Sequence, residues 1–325
     1  MAAVLTLAVA TSGAVGYLYL SKPAMAPALD TRAQATPERL ARGKYLFNLA
    51  DCDGCHSQRD FSRFDGPVVE GGRGAGSVFP AAMGLPGLVA PPNITPDRET
   101  GIGAWTDGEK IRAIREGVDR DGRALFPMMP YENFRHMADE DVISLVAYLN
   151  SLSPVKHSVP KTHLNFPVSL LIKSAPQPAG HVNTPYRRNK VRYGKYLVTI
   201  AGCAECHTPS FSGGRKFVVA PGVQVVSANI SPDLETGIGR WSEQDFLDRI
   251  YQYKDYADRG SPRVGPESFT LMPWLNFSQL PREDLQAIYA YLRSRPPVHQ
   301  AVETHPDWDP VPVKRAAVSG RKVVD

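Results

Sequence analysis

All four cysteines of this 325-residue chain fall into one pattern used twice: Cys52-Asp53-Gly54-Cys55-His56 and Cys203-Ala204-Glu205-Cys206-His207. Two thiols three residues apart stand on adjacent turns when the segment is helical, so each can add to one vinyl group of a haem. The histidine that follows then lies under the macrocycle with a ring nitrogen available to the iron. A C-x-x-C pair alone also suits a redox dithiol, a disulfide or half of a zinc site. Zinc sites of that kind bring their paired cysteines together across a short loop, whereas these lie in opposite halves of the chain. A dithiol needs no histidine after either pair. The doubled motif therefore predicts two covalently bound haems c, which places the folded part outside the cytoplasm, where haem c is assembled.

The chain is long enough for two domains of ordinary size. Hydrophobic residues make up 42% and charged residues 22%, which is globular. The net charge of +4 comes with no basic run interleaved with aromatics, which argues against nucleic acid as a partner. Residues Met1 to Ser21 carry no charged side chain, and Lys22 is the first. A run of about 20 apolar residues can cross a bilayer, and Tyr17 and Tyr19 suit its interfacial end. The competing reading is a cleaved signal peptide with Ala24-Met25-Ala26 at the cleavage site, although no basic region precedes the apolar run. An uncleaved N-terminal hydrophobic helix is the favoured expectation, holding the protein on the periplasmic side of the bacterial inner membrane.

The two motifs sit in a repeat. Gly43-Lys44-Tyr45-Leu46 matches Gly194-Lys195-Tyr196-Leu197, and Asn93-Ile94-Thr95-Pro96-Asp97 matches Asn229-Ile230-Ser231-Pro232-Asp233. Glu99-Thr100-Gly101-Ile102-Gly103 with Trp105 answers Glu235-Thr236-Gly237-Ile238-Gly239 with Trp241. Leu145 to Leu149 answers Ile288 to Leu292. Each copy reads as helical. Thr36-Pro37 opens a helix toward the first haem motif, and Thr106-x-x-Glu109 and Ser242-x-x-Asp245 resemble capping boxes. Apolar stripes at helical spacing follow, and no sustained period-two alternation argues for a sheet. The expected organisation is an N-terminal segment over 1–29, a first module over 30–156, a proline-rich linker over 157–185, a second module over 186–298 and a basic, solvated tail over 299–325. Within the linker, Val168 to Ile172 is expected to pack against a haem module.

Methionines decide whether each iron is open or closed, since a histidine and methionine pair leaves no vacant site. Met272 is the only methionine after Cys203, and it lies in Leu271-Met272-Pro273-Trp274. The first copy offers Met83, Met128, Met129 and Met137. Superposing the Met-Pro-aromatic segments pairs Met129 with Met272, and the same offset pairs Tyr148 with Tyr291 and places Met137 and Met128 opposite leucines. Met129 is the favoured ligand, with Met128 next. His136, His157, His163, His181, His299 and His305 have no counterparts in the other copy and read as surface or internally satisfied histidines.

With these residues the chain resembles class I c-type cytochromes. More narrowly, the N-I-[TS]-P-D, T-G-I-G-x-W and M-P-[YW] blocks resemble the cytochrome c subunits of membrane-bound alcohol, aldehyde and gluconate dehydrogenases, which usually carry three haems where this chain has two. The resemblance implies an all-α fold of two tandem class I cytochrome c domains. It also implies helix contacts of Gly43 with Tyr148 and of Gly194 with Tyr291, and Trp105 and Trp241 near the haem edge or finishing the core. Cys52, Cys55, His56, Met129, Cys203, Cys206, His207 and Met272 are the expected haem-binding set, with His56, Met129, His207 and Met272 on the irons. The expected role is electron transfer from a dehydrogenase or quinol-oxidising donor to an oxidase or soluble cytochrome, with no catalytic residues of its own. The alternative is a dihaem enzyme, a peroxidase or thiosulfate-oxidising cytochrome, in which one axial ligand can leave.

Overall fold

The computed structural model describes Gly16 and residues 19–220 and 223–306. Most of the expected N-terminal hydrophobic helix and the basic end of the tail lie outside the described residues. Among the described residues no helix is long and apolar enough to cross a membrane.

In the first module α1 (Pro37–Leu49) starts at its expected cap: Arg39 N–H donates to the Thr36 hydroxyl at 3.3 Å, and Pro37 occupies the first turn. The haem motif forms α2 (Cys52–His56). A long loop carrying the short strand β1 (Gly87–Leu88) leads to α3 (Asp107–Glu116). That helix opens with a closed capping box, Glu109 N–H on the Thr106 hydroxyl at 3.2 Å and Thr106 N–H on the Glu109 carboxylate at 2.7 Å. The one-turn α4 (Tyr131–Phe134) and then α5 (Asp139–Ser151) complete the module. The linker holds β2 (His163–Leu164) and α6 (Val168–Leu171). The second module repeats the series with α7 (Lys190–Ile200), α8 (Cys203–His207), strands β3 (Lys216–Ala220) and β4 (Val223–Val226), and α9 (Glu243–Tyr251), which has its own capping box from Ser242 and Asp245. It ends with α10 (Lys254–Arg259), α11 (Trp274–Phe277) and α12 (Arg282–Arg293).

In each module the first and last long helices cross, α1 on α5 and α7 on α12. Leu46, Phe47, Val142 and Val146 are fully or almost fully buried in the first crossing, and Leu197, Ile200 and Leu285 in the second. Each such side chain contributes about 1.5–3 kcal/mol by leaving water. One continuous apolar cluster runs through both modules.

Two expectations need correcting. The fold is not wholly helical: β1 pairs antiparallel with β2, and β3 with β4. The β3–β4 hairpin escaped the periodicity test because its residues form apolar runs instead of alternating with polar ones, and because part of its support is distant, with Val226 N–H donating to the Thr304 carbonyl at 2.9 Å. That contact is also the second correction. Residues 300–306 of the tail are tied to the second module and not freely solvated: Asn229 donates to the Gln300 carbonyl at 3.3 Å and His305 Nε2 meets the Phe269 carbonyl at 2.9 Å. The start of the linker is held in the same way, with Asn93 donating to the His157 carbonyl at 3.3 Å, so the repeat extends beyond the last helix of each copy. In the run Val168 to Ile172, Val168, Leu170 and Ile172 are half-buried, while Leu171 stays 52% exposed.

The modules meet about a pseudo-twofold relation, α11 of the second against α1 of the first and α4 of the first against α7 of the second. The equivalent tyrosines cross the boundary. Tyr196 donates to the buried Asp141 carboxylate at 2.5 Å, beside a two-pronged ion pair from Arg42 at 2.8 and 2.6 Å. Tyr45 turns its buried hydroxyl toward Asp284, and burial followed by that carboxylate's charge raises its pKa. Arg42 has no repeat partner, and Arg187 at the start of the second module takes its place, 3.9 Å from Asp284 and stacked over Tyr193. Replacing Tyr196 with phenylalanine removes a bond to a buried charge and a partner of the Ala138 N–H. A loss of about 1.5–3 kcal/mol in denaturant stability is expected. An unchanged midpoint would show that the crossing tyrosine does not hold the modules together.

The opposite side is closed by loops present in one copy only. Phe64 N–H donates to the Pro262 carbonyl at 2.9 Å and Val264 N–H to the Ser62 carbonyl at 3.0 Å. Phe64 stacks on Tyr253, centroids 4.8 Å apart, and Tyr253 leans on Trp274 at 5.0 Å. A loop grown by the first module thus grips a loop grown by the second.

Candidate haem-binding sites

The first module contains an apolar cavity. Cys52, Cys55 and His56 line it together with Met128, Met129 and Pro130, among apolar side chains that include Ile102, Trp105 and Leu149. The structure thus brings the predicted residues of this copy to one place. It puts Met128 there too, while Met137 is fully buried elsewhere in the core. In the second module Met272, Trp241 and Cys203 pack against the same apolar cluster as their counterparts Met129, Trp105 and Cys52.

Each histidine is fixed by the same bond. His56 Nδ1–H donates to the Pro92 carbonyl at 2.8 Å and His207 Nδ1–H to the Ala228 carbonyl at 2.7 Å, which leaves Nε2 as the free nitrogen of each ring. Burial holds both imidazoles below their usual pKa, so the ring stays neutral and able to give a lone pair. These carbonyls directly precede Asn93 and Asn229, the residues that pin the straps after the last helices. The N-I-[TS]-P-D block and the residue before it therefore do two jobs that sequence reasoning missed, although the repetition of the block was the signal for them.

The Met-Pro-aromatic segments also share a geometry. Trp274 N–H donates to the Met272 carbonyl at 2.8 Å across Pro273, whose φ and ψ are −78° and 64°. Tyr131 N–H donates to the Met129 carbonyl at 2.8 Å across Pro130 at −81° and 52°. Both are inverse γ-turns with proline at the centre, and the ring holds φ where that turn needs it. Each methionine is thereby aimed by a stiff three-residue loop directly before a helix.

Burial pushes the Cys55 and Cys203 thiols up to about 12 and Cys52 well above its ordinary value. Such thiols are neutral, the opposite of what a dithiol exchange centre requires. Among the described residues no three histidine, cysteine or acidic side chains converge as a metal cluster. An apolar cavity lined by two thiols, one oriented neutral imidazole and a thioether fits a haem attached through Cys52 and Cys55, and the repeated residues fit a second.

The two sites are joined across the module boundary. Asn276, on the helix after the Met272 turn, donates to Asp51 Oδ1 at 2.9 Å, next to Cys52. Asn133, its repeat partner after the Met129 turn, donates to Glu205 Oε1 at 3.2 Å, next to Cys206. Leu275 N–H donates to the buried Asp65 carboxylate at 2.8 Å. Each methionine loop therefore touches the haem motif of the other copy.

The cytochrome c family model matches residues 40–153 and 191–296. The chain is 33% identical over 303 residues to the fructose dehydrogenase cytochrome subunit of Gluconobacter japonicus, covering 86% of this chain and 57% of that one. It is 30% identical over 309 residues to the cytochrome c subunit of the quinone alcohol dehydrogenase of Gluconacetobacter polyoxogenes, covering 89% and 62%. It is 30% identical over 299 residues to a dihaem c-type cytochrome of Cereibacter sphaeroides, covering 88% and 95%. It thus spans less than two thirds of the first two relatives and nearly all of the third.

Proposed function

Since the chain belongs to the cytochrome c family and is an electron-transfer protein with two covalently bound haems c, we propose that it works as a closed two-centre relay. His56 and Met129 hold one iron, and His207 and Met272 the other. Its donor is a dehydrogenase subunit or a quinol-oxidising protein and its acceptor an oxidase or soluble cytochrome. The dehydrogenase reading draws on relatives named as cytochrome subunits of fructose, alcohol and gluconate dehydrogenases. Residues Met1–Ser21 anchor the modules on the periplasmic face of the inner membrane.

The observation that carries this reading is the matched construction of the two sites, joined by the Asn133 and Asn276 contacts. Bound haem supplies one-electron chemistry at iron. The protein's share is to orient each imidazole by its Nδ1–H bond, aim each thioether by its proline turn, exclude water with an apolar shell and fix the two centres relative to each other. An enzyme of the peroxidase type needs one displaceable ligand and an acid–base group beside it, whereas here both copies present the same stiff turn. The test is carbon monoxide on the fully reduced protein. No binding is expected, and one equivalent bound per chain would overturn the relay.

Asp51 adds a pH dependence. It lines the first cavity, with Arg59 3.9 Å away and Asn276 bonded to it. Burial pushes its carboxyl up to about 7, Arg59 opposes that, and the charges of Asp65 and Asp53 add to it. Below that pH the group is neutral, and above it the carboxylate stabilises the oxidised, more positive iron. The midpoint potential of the first haem is therefore expected to fall as pH rises through about 7, by at most about 59 mV per pH unit for one proton and one electron. Asp51→Asn should flatten this slope, and an unchanged slope would assign it to other groups.

A further inference from the structure

The linker carries an apolar face that neither module covers. Phe166 is 72% exposed and Leu171 of α6 is 52% exposed. Two large apolar side chains on one short segment mark an interaction surface when something adjacent supplies the partner. The N-terminal segment runs alongside: Ala26 N–H and Ala179 N–H both donate to the Glu116 carboxylate, at 2.8 and 3.2 Å. Nearer the N-terminus Lys173, two residues past Leu171, donates to the Tyr19 carbonyl at 2.8 Å and lies 5.8 Å from the centre of the Tyr19 ring. Tyr19 and Leu20 are themselves 70% and 81% exposed, and from Ser21 back to Met1 the sequence has no charged side chain. The exposed face of the linker thus lies where an uncharged segment of membrane-spanning length joins the fold.

We propose that the linker is a lipid-facing strap, with Phe166 and Leu171 entering the bilayer interface beside the N-terminal segment. Lys161 and Lys173 flank them in sequence, Lys22 follows the N-terminal uncharged run, and all three keep their ammonium groups among the headgroups. An apolar face bordered by lysines is the pattern of an interfacial segment, and long lysine stems reach from that depth to water. Tethering by the N-terminal segment makes this second contact intramolecular, so a small apolar face suffices. Two points of attachment fix how the haem modules sit over the membrane, where one alone would let them swing. The inference rests on the reading of Met1–Ser21 as a membrane anchor.

The test uses the haem-loaded full chain. Its four native cysteines are consumed by haem, so a single introduced cysteine is the only reactive thiol. Phe166→Cys, Leu171→Cys and the control Leu234→Cys, at a leucine 62% exposed on the second module, are labelled with a nitroxide. The proteins are reconstituted into vesicles of phosphatidylethanolamine and phosphatidylglycerol. Collision with oxygen, which concentrates in lipid, and with a water-soluble nickel chelate is read by electron paramagnetic resonance. The expected result is a several-fold rise in the oxygen-to-nickel ratio at 166 and 171 on vesicle binding, with none at 234. Protein that binds vesicles while 166 and 171 stay as water-exposed as 234 overturns the strap and leaves the anchor standing. Protein that does not bind vesicles overturns both. Labels shielded from both reagents before vesicles are added would show that a second copy of the chain covers this face, which also overturns the strap.

Discussion

Replacing Met272 with leucine is expected to open one iron and only one. Half of the far-red methionine-to-iron band should vanish, one equivalent of carbon monoxide should bind the reduced chain, and one of two midpoint potentials should fall. The thioether is a soft, neutral ligand that favours ferrous iron, and the leucine side chain offers no lone pair. The fall should be on the order of 0.2 V, within the ~0.8 V range that axial ligands span. Folding should survive, because a leucine for methionine exchange conserves volume and costs less than about 1.5 kcal/mol. Met129→Leu should do the same to the other haem. Met128 lines the same cavity but does not open a proline-centred turn, so Met128→Leu should leave the band and both potentials close to those of the unaltered protein. A lost ligand in Met128→Leu with an intact spectrum in Met129→Leu would reverse the assignment.

What the sequence made legible follows from which interactions are local. The caps at Thr36, Thr106 and Ser242 are contacts within three residues, so their residue types announce them. The repeat made the rest of each module readable, since whatever Met272 is, Met129 is also. The pairing of β3 with β4, with Thr304 arriving from the tail, is a distant contact that no local pattern encodes. The grip of Phe64 on Tyr253 is opaque for a second reason: both loops occur in one copy only, so the repeat offers nothing to compare. Pro92 and Ala228 act through backbone carbonyls, which carry no residue signature. The exchange of tyrosines across the boundary was hidden differently. Tyr45 and Tyr196 were plain in the repeat, but a match between copies says nothing about which copy supplies the partner.

Gly194→Val should abolish the stable second module, and Gly43→Val the first. These glycines lie where the long helices cross, and the available space is set by backbone. A Cβ on Gly194 would stand 1.8 Å from the Ala287 carbonyl oxygen, 2.5 Å from its carbon and 3.0 Å from Tyr291 Cβ. A Cβ on Gly43 would stand 2.0 Å from the Ser144 oxygen and 2.6 Å from Tyr148 Cβ. No rotamer relieves a clash with backbone, so α7 must move away from α12, or α1 from α5, and the buried leucines between them lose their contacts. At an uncrowded mid-helix site alanine gains about 1 kcal/mol over glycine. Here that gain is set against overpacking, which costs about 1–3 kcal/mol where side chains can yield and more where they cannot. Valine adds two methyl groups to the same gap, against a total stability of roughly 5–15 kcal/mol for a domain. Because Leu145 and Leu149 of α5 line the first haem cavity together with Met129, and the second module repeats these residues, the spectrum should report the damage. Gly194→Val should lose the second methionine-to-iron signal at temperatures where the first persists, and Gly43→Val the reverse. Gly194→Ala should show the same loss at a lower denaturant concentration than the unaltered protein. A Gly194→Ala protein as stable as its parent would mean that the two helices do not approach so closely, and the mirrored Gly43→Ala protein would then be expected to behave alike, since both crossings are built on the same contact.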